Sequence, residues 1–169
     1  MSKKDEMIDL VARVSSLLRE RGMTLGTAES CTAGMIASRI ADLPGSSDIL
    51  MGGIVSYANE VKTGVLGVDP EVIEKYGAVS EQCAAQMAEG ARRMLGCDIA
   101  VSVTGIAGPG GGTPEKPVGT VCFSVSDKNG TVTKTVHLGR NSDRGKIRRR
   151  TVAAALMYVA ERINAEGTF

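Results

Sequence analysis

Segments of helical spacing alternate with short apolar runs along this chain, and no other feature narrows its fold as much. Residues 5–21 carry apolar side chains at Met7, Leu10, Val11, Val14, Leu17 and Leu18, which form one face of a helix, and Gly22 follows as a stop. Residues 23–28 read as a strand running into Glu29-Ser30. Residues 32–43 read as a helix ended by Pro44-Gly45, and 49–57 as a buried strand. A short helix begins at Asn59. Another opens at Asp69-Pro70, where Asp caps and Pro takes the first helical position. Ser80-Glu81 starts a helix to about Leu95, with Cys83, Ala84, Met87, Ala91 and Met94 on its inner face. Strands are predicted at 98–104, 118–127 and 131–138, the last two joined by a Lys128-Asn129-Gly130 turn. A final amphipathic helix runs from Asp143 to about Asn164. Strands that alternate with helices predict a three-layer α/β/α domain, and the hairpin makes its sheet mixed. The 169 residues make one domain, 1–169.

Composition excludes several functions. Lys+Arg 20 against Asp+Glu 19 leaves a net charge of +1, so no global field draws nucleic acid. Two Phe, three Tyr and no Trp offer no platform for stacking single strands. The four Cys, at 31, 83, 97 and 122, form no Cys-x-x-Cys pair, and there is one His, so no metal site is expected. The N-terminus lacks the apolar core of a signal peptide, and no uncharged apolar run reaches the roughly 18 residues of a membrane span. The expectation is a cytoplasmic protein with reduced thiols and no membrane partner.

The single His bears on mechanism. Ser and Cys hydrolases usually take a His as base. His137 lies in a strand-like Thr-Val-His-Leu run, so a hydrolase built on this chain needs another base.

Four features carry possible chemistry. Ser30 stands between a strand and a helix in Thr-Ala-Glu-Ser-Cys-Thr-Ala-Gly, where helix N–H groups, at Cys31 and Thr32, would meet developing negative charge. The plainer reading makes Ser30 or Thr32 a helix cap. Cys31 is a rival nucleophile, although a small Cys is more often buried filler. Lys62 follows an apolar strand and can serve Ser30 as base, or it can be an ordinary solvated helix lysine. From a reference pKa of about 10.4, only roughly one Lys in 2,500 is neutral at pH 7, so burial or a neighbouring cation must lower that pKa by about 2–3 units. The Gly-rich stretch from Thr104 through Gly105 and Gly108 to Gly112 ends a strand with many backbone N–H groups, an anion nest or a flexible lid. It matches neither a Walker A loop nor a dinucleotide fingerprint. Arg144, Lys146, Arg148, Arg149 and Arg150 crowd the start of the last helix against its dipole. Arg144 and Arg148, at i and i+4, can clamp a phosphate or carboxylate, or they can form a solvated face beside Asp143 and Glu161. The run also admits a nucleic-acid patch, a reading that the neutral total charge and the scarce aromatics weigh against.

These segments carry a resemblance. Ala28-Glu29-Ser30-Cys31-Thr32, Ser56-Tyr57-x-Asn59-Glu60-x-Lys62, Gly77-Ala78-Val79-Ser80-Glu81, Thr104-Gly105-Ile106-Ala107-Gly108-Pro109 and Lys116-Pro117-Val118-Gly119-Thr120-Val121 closely resemble the CinA C-terminal domain family. Its active members are the PncC-type nicotinamide-nucleotide amidases. Position 33 is Ala where many relatives are expected to carry Gly. The chain resembles the standalone form, without the molybdopterin-binding-like domain of longer CinA proteins.

The resemblance implies hydrolysis of the carboxamide of nicotinamide mononucleotide by Ser30 and Lys62. Tyr57 and Thr104 match family active-site positions, and Arg144 or Arg148 matches the family's Arg. It further implies a small-molecule nucleotide substrate, no metal or organic cofactor, and a homo-oligomer. Two alternatives stand beside it, a catalytically inactive nucleotide-binding regulatory module and a Ser/Lys amidohydrolase acting on another phosphorylated amide.

Overall fold

The computed structural model describes residues 3–139 and 142–165. The elements in order are α1 (Lys3–Arg21), β1 (Leu25–Glu29), α2 (Met35–Ala41), β2 (Leu50–Val55), α3 (Asn59–Gly64) and α4 (Pro70–Tyr76). There follow α5 (Glu81–Leu95), β3 (Ile99–Gly105), β4 (Thr120–Asp127), β5 (Gly130–His137) and α6 (Arg144–Ala165). The sheet order is β2-β1-β3-β4-β5. β1 runs parallel to both β2 and β3, while β4 is antiparallel to β3 and β5, so the sheet is mixed as its hairpin required.

Helices cover both faces, which makes three layers. On one face Val11, Val14 and Leu18 of α1, Ile36 and Ile40 of α2, and Ile147, Leu156 and Val159 of α6 pack with Leu25, Val101, Val103 and Phe123 of the sheet. On the other, Cys83, Met87 and Ala91 of α5 pack with Ala28, Ala100, Leu66 and Val68. Each fully buried Leu, Ile or Met here contributes about 1.5–3 kcal/mol relative to exposure. Asp69 caps α4 by accepting from the Glu71 N–H at 2.9 Å, and Ser80 caps α5 by accepting from the Cys83 N–H at 3.2 Å. No described helix is long and apolar enough to cross a membrane.

Three expectations need correction. β2 is not the buried strand expected at 49–57: it lies at the sheet edge and no residue in it is fully buried, Met51 being 51% and Val55 48% exposed. Met94 is 57% exposed, and Leu95 takes the inward place, because four residues rather than three complete the turn from Ala91. The helix predicted from Thr32 begins at Met35; residues 31–34 are turns instead.

The connections position the site. The chain leaves β1 for α2 on one face of the sheet and leaves β2 for the α3–α5 segment on the other. In open α/β sheets ligands bind beyond the carboxyl ends of the strands where connections reverse in this way. Ser30 follows β1 immediately, and Lys62 lies seven residues beyond the end of β2. The α3–α4 connection is pressed onto α5 so tightly that a Cβ on Gly90 would stand 2.0 Å from Leu66 O. The Val68 N–H donates to Lys62 O at 3.0 Å, so this close approach fixes the end of α3 that carries Lys62.

Candidate active site

Ser30 extends the β1–β3 ladder by one bond, its N–H donating to Val103 O at 3.0 Å. The turn after it is held by Ala33 N–H to Ser30 O at 3.1 Å and Met35 N–H to Thr32 O at 3.3 Å. Ala33 sits at φ 52, the one non-glycine residue with positive φ among those described, and Gly34 follows at φ 91. Left-handed backbone costs an alanine about 1–2 kcal/mol. That supplies the physical reason for the Gly expected at position 33 in relatives.

Neither Ser30 nor Thr32 caps α2. Its first free N–H groups, on Ile36 and Ala37, each donate to the fully buried carboxylate of Glu29 at 3.0 Å, and the Thr27 hydroxyl donates to it at 3.1 Å. The α2 N-terminus is therefore occupied by the protein's own anion and is not where Cys31 and Thr32 lie. Nothing local betrays this role of Glu29, whose helix partners lie seven and eight residues further on.

Lys62 is 1% exposed. Its Nζ donates to Ser56 O at 2.8 Å and to Tyr57 O at 3.1 Å, and stands 3.2 Å from Ser30 Oγ. Burial pushes its pKa below the ordinary 10.5, against weaker upward pulls from Cys83, Cys31 and Glu60. Nζ donates to all three oxygens as an ammonium; once neutral, two N–H bonds can keep the two carbonyls and the lone pair can accept from the Ser30 hydroxyl. The solvated-lysine reading is thereby set aside.

Cys31 is buried, and its thiol is pushed up to about 11, first by burial, so it stays protonated at neutral pH. His137 lies on the edge strand β5, its Nδ1 3.1 Å from Thr120 Oγ1, three strands removed from β1.

The remaining predicted residues divide. Tyr57 and Gly108 are joined by Arg144, whose Nη2 donates to Tyr57 Oη at 2.8 Å and whose Nη1 donates to Gly108 O at 2.9 Å. Thr104 is buried and spends its hydroxyl on Ala78 O at 2.8 Å. Gly105 and Gly108 serve packing: a Cβ would stand 2.8 Å from a Val121 methyl at Gly105 and 2.6 Å from a Val118 methyl at Gly108. Arg148 does not join Arg144 in a clamp. Its Nε and Nη2 donate to Cys31 O and Thr32 O, each at 3.0 Å. Sequence reasoning also missed Ser56, a buried hydroxyl without a hydrogen-bond partner among the described residues, whose carbonyl holds Lys62. Two clefts of about 360 and 440 Å³ lie beside β4, β5 and the Gly-rich loop, and neither is lined by Ser30 or Lys62.

A mixed α/β/α domain with a buried lysine 3.2 Å from a serine at the carboxyl end of a parallel strand defines the class. The family model described as the CinA C-terminal domain matches residues 7–163, and the chain belongs to that family. A CinA-like protein of Mycobacterium marinum is 56% identical over 149 residues, covering 88% of this chain and 33% of that protein. Another from Thermotoga neapolitana is 44% identical over 163 residues, covering 96% and 38%. The chain thus spans about a third of the length of these curated relatives. The crystal structure of the competence/damage inducible protein CihA from Agrobacterium tumefaciens aligns with a TM-score of 0.89 at 40% identity, covering 94% of this chain and 95% of that one. A CinA superfamily protein from Klebsiella pneumoniae gives 0.90 at 31% identity, covering 94% and 98%.

Proposed function

We propose that this domain hydrolyses the carboxamide of nicotinamide mononucleotide to nicotinate mononucleotide and ammonia. The observation that carries the reading is the Lys62 Nζ, 1% exposed and 3.2 Å from Ser30 Oγ, with two carbonyls to absorb its N–H bonds. A binding module has no use for a buried amine aimed at a hydroxyl. Membership of the CinA family supports the choice of substrate.

Neutral Lys62 takes the Ser30 proton as Oγ attacks the amide carbon. Backbone N–H groups of the turn at Cys31 and Thr32 meet the oxyanion, a donor of this kind being worth about 3–4 kcal/mol. The Lys62 ammonium then protonates the amide nitrogen, ammonia leaves, and an acyl-Ser30 ester remains. Water, deprotonated by Lys62, attacks that ester, and Ser30 recovers its proton. Exposed Arg144, with Tyr57 beside it, supplies the cation for the substrate phosphate. Binding there orients an amide that Ser30 alone holds weakly.

Ammonia release from nicotinamide mononucleotide is measured for wild type, Ser30→Ala and Lys62→Ala. Turnover is expected in wild type alone. Equal activity of Ser30→Ala removes the nucleophile, and a wild type that binds the nucleotide without turnover makes this a binding domain. Nicotinamide riboside in the same assay tests the phosphate contact, which an undiminished kcat/KM refutes.

A further inference from the structure

The turn carrying Ser30 contains a left-handed alanine and is closed by two short-range backbone bonds. Backbone in such a conformation persists where its surroundings over-determine it. The surrounding group is Arg148, reaching from α6 across 117 and 116 residues of chain to Cys31 O and Thr32 O. Both bonds are charge-assisted, and they lie on consecutive carbonyls that a planar fork can take together.

Peptide planarity turns this grip into a statement about donors. In a trans peptide the carbonyl and the following N–H point in opposite directions. With Cys31 O drawn to Arg148, the Thr32 N–H is directed away from it. With Thr32 O drawn the same way, the Ala33 N–H is also reversed, and Ser30 O takes it. The Thr32 N–H has no hydrogen-bond acceptor among the described residues.

We propose that Arg148 is a positioning residue: by holding the Cys31 and Thr32 carbonyls it fixes the Ser30 turn and keeps the Thr32 N–H free as one of the two oxyanion donors. The amidase reading supplies the reaction, and the proposal rests on it for the oxyanion. The assignment separates the two arginines of α6. Arg144 faces the substrate side with Tyr57, whereas Arg148 acts through backbone and touches no substrate.

The test compares wild type, Arg148→Gln and Arg148→Lys in two assays. One is steady-state ammonia release from nicotinamide mononucleotide. The other is the rate of Ser30 sulfonylation by phenylmethanesulfonyl fluoride, followed by mass spectrometry. Arg148→Gln is expected to lower kcat by about 10²–10³-fold, the loss seen when an oxyanion donor is removed, with KM changed less than about threefold. Ser30 labelling should slow in parallel, and Arg148→Lys, which keeps a cationic donor, should recover at least about tenfold. If Arg148→Gln lacks the wild-type circular dichroism spectrum, Arg148→Lys against wild type carries the comparison. A tenfold rise in KM at unchanged kcat makes Arg148 a substrate contact and overturns the proposal, as does unchanged kcat and labelling. If wild type leaves the nucleotide intact yet Ser30 is labelled, and Arg148→Gln slows that labelling, the substrate assignment fails and the positioning role stands. A wild-type Ser30 that neither turns over nor labels removes both.

Discussion

Replacing Ala33 with glycine should stabilise this protein, although the change deletes a side-chain atom and adds no contact. Ala33 holds φ 52, and its side chain is exposed, so removal of the methyl group loses little burial. Relief of the left-handed conformation is worth about 1–2 kcal/mol. The more flexible unfolded chain takes back about 0.4–1 kcal/mol. The net gain is about 0.5–1 kcal/mol, and at about 2–4 °C per kcal/mol for a protein of this size Tm should rise by about 1–4 °C. Scanning calorimetry on Ala33→Gly, Ala33→Asn and Ala33→Val provides the check. The expected order of Tm is Gly, then Asn, then the native Ala, then Val, because asparagine tolerates this region and a β-branched residue does not. A Tm for Ala33→Gly below that of the native protein refutes the strain argument. So would a Val variant as stable as the Gly variant.

Three further outcomes are expected. Lys62 must be neutral to accept a proton, so kcat/KM should rise as pH rises through its lowered pKa and level off below the ordinary 10.5. Stability has the same sign. Between the two pKa values the unfolded chain holds a proton that the folded protein lacks, so stability grows with pH across that window and is lost as pH falls through the folded value. Urea midpoints at pH 7 and pH 10 should show this dependence in wild type and not in Lys62→Met; a constant gap between the two proteins speaks against it. Gly90→Ala places a Cβ 2.0 Å from Leu66 O, a backbone atom that cannot step aside. It should cost about 3 kcal/mol, the upper part of the range for overpacking, and depress kcat by displacing the end of α3. A variant with native urea midpoint and native kcat would show that α3 does not depend on this contact.

The layers, the hairpin, the cap at Asp69 and the helix start at Ser80-Glu81 were legible in the chain because they rest on local spacing and turn chemistry. Ser30 and Lys62 were legible as residue types, a nucleophile at a strand end and a base other than His. Their proximity depends on which face each connection takes, and spacing alone does not fix that. The turn at 31–34 was hidden because Thr-Ala-Gly-Met reads as the start of a helix until Ala33 and Gly34 are seen in the left-handed region. Arg148 was recognisable as a cation without a reason to be where it is. Its partners are two carbonyl oxygens more than a hundred residues away, and every residue type has a carbonyl.

Both arginines that reach the Ser30 region arrive on α6, which begins at Arg144, whereas Ser30 and Lys62 belong to the first half of the chain. During synthesis the serine and the lysine leave the ribosome long before the guanidinium groups that complete their surroundings. A nascent polypeptide halted before α6 therefore carries the hydroxyl and the amine with the turn unlatched. Chain order thus makes the Arg148 grip on the Cys31 and Thr32 carbonyls the last contact of that turn to become possible.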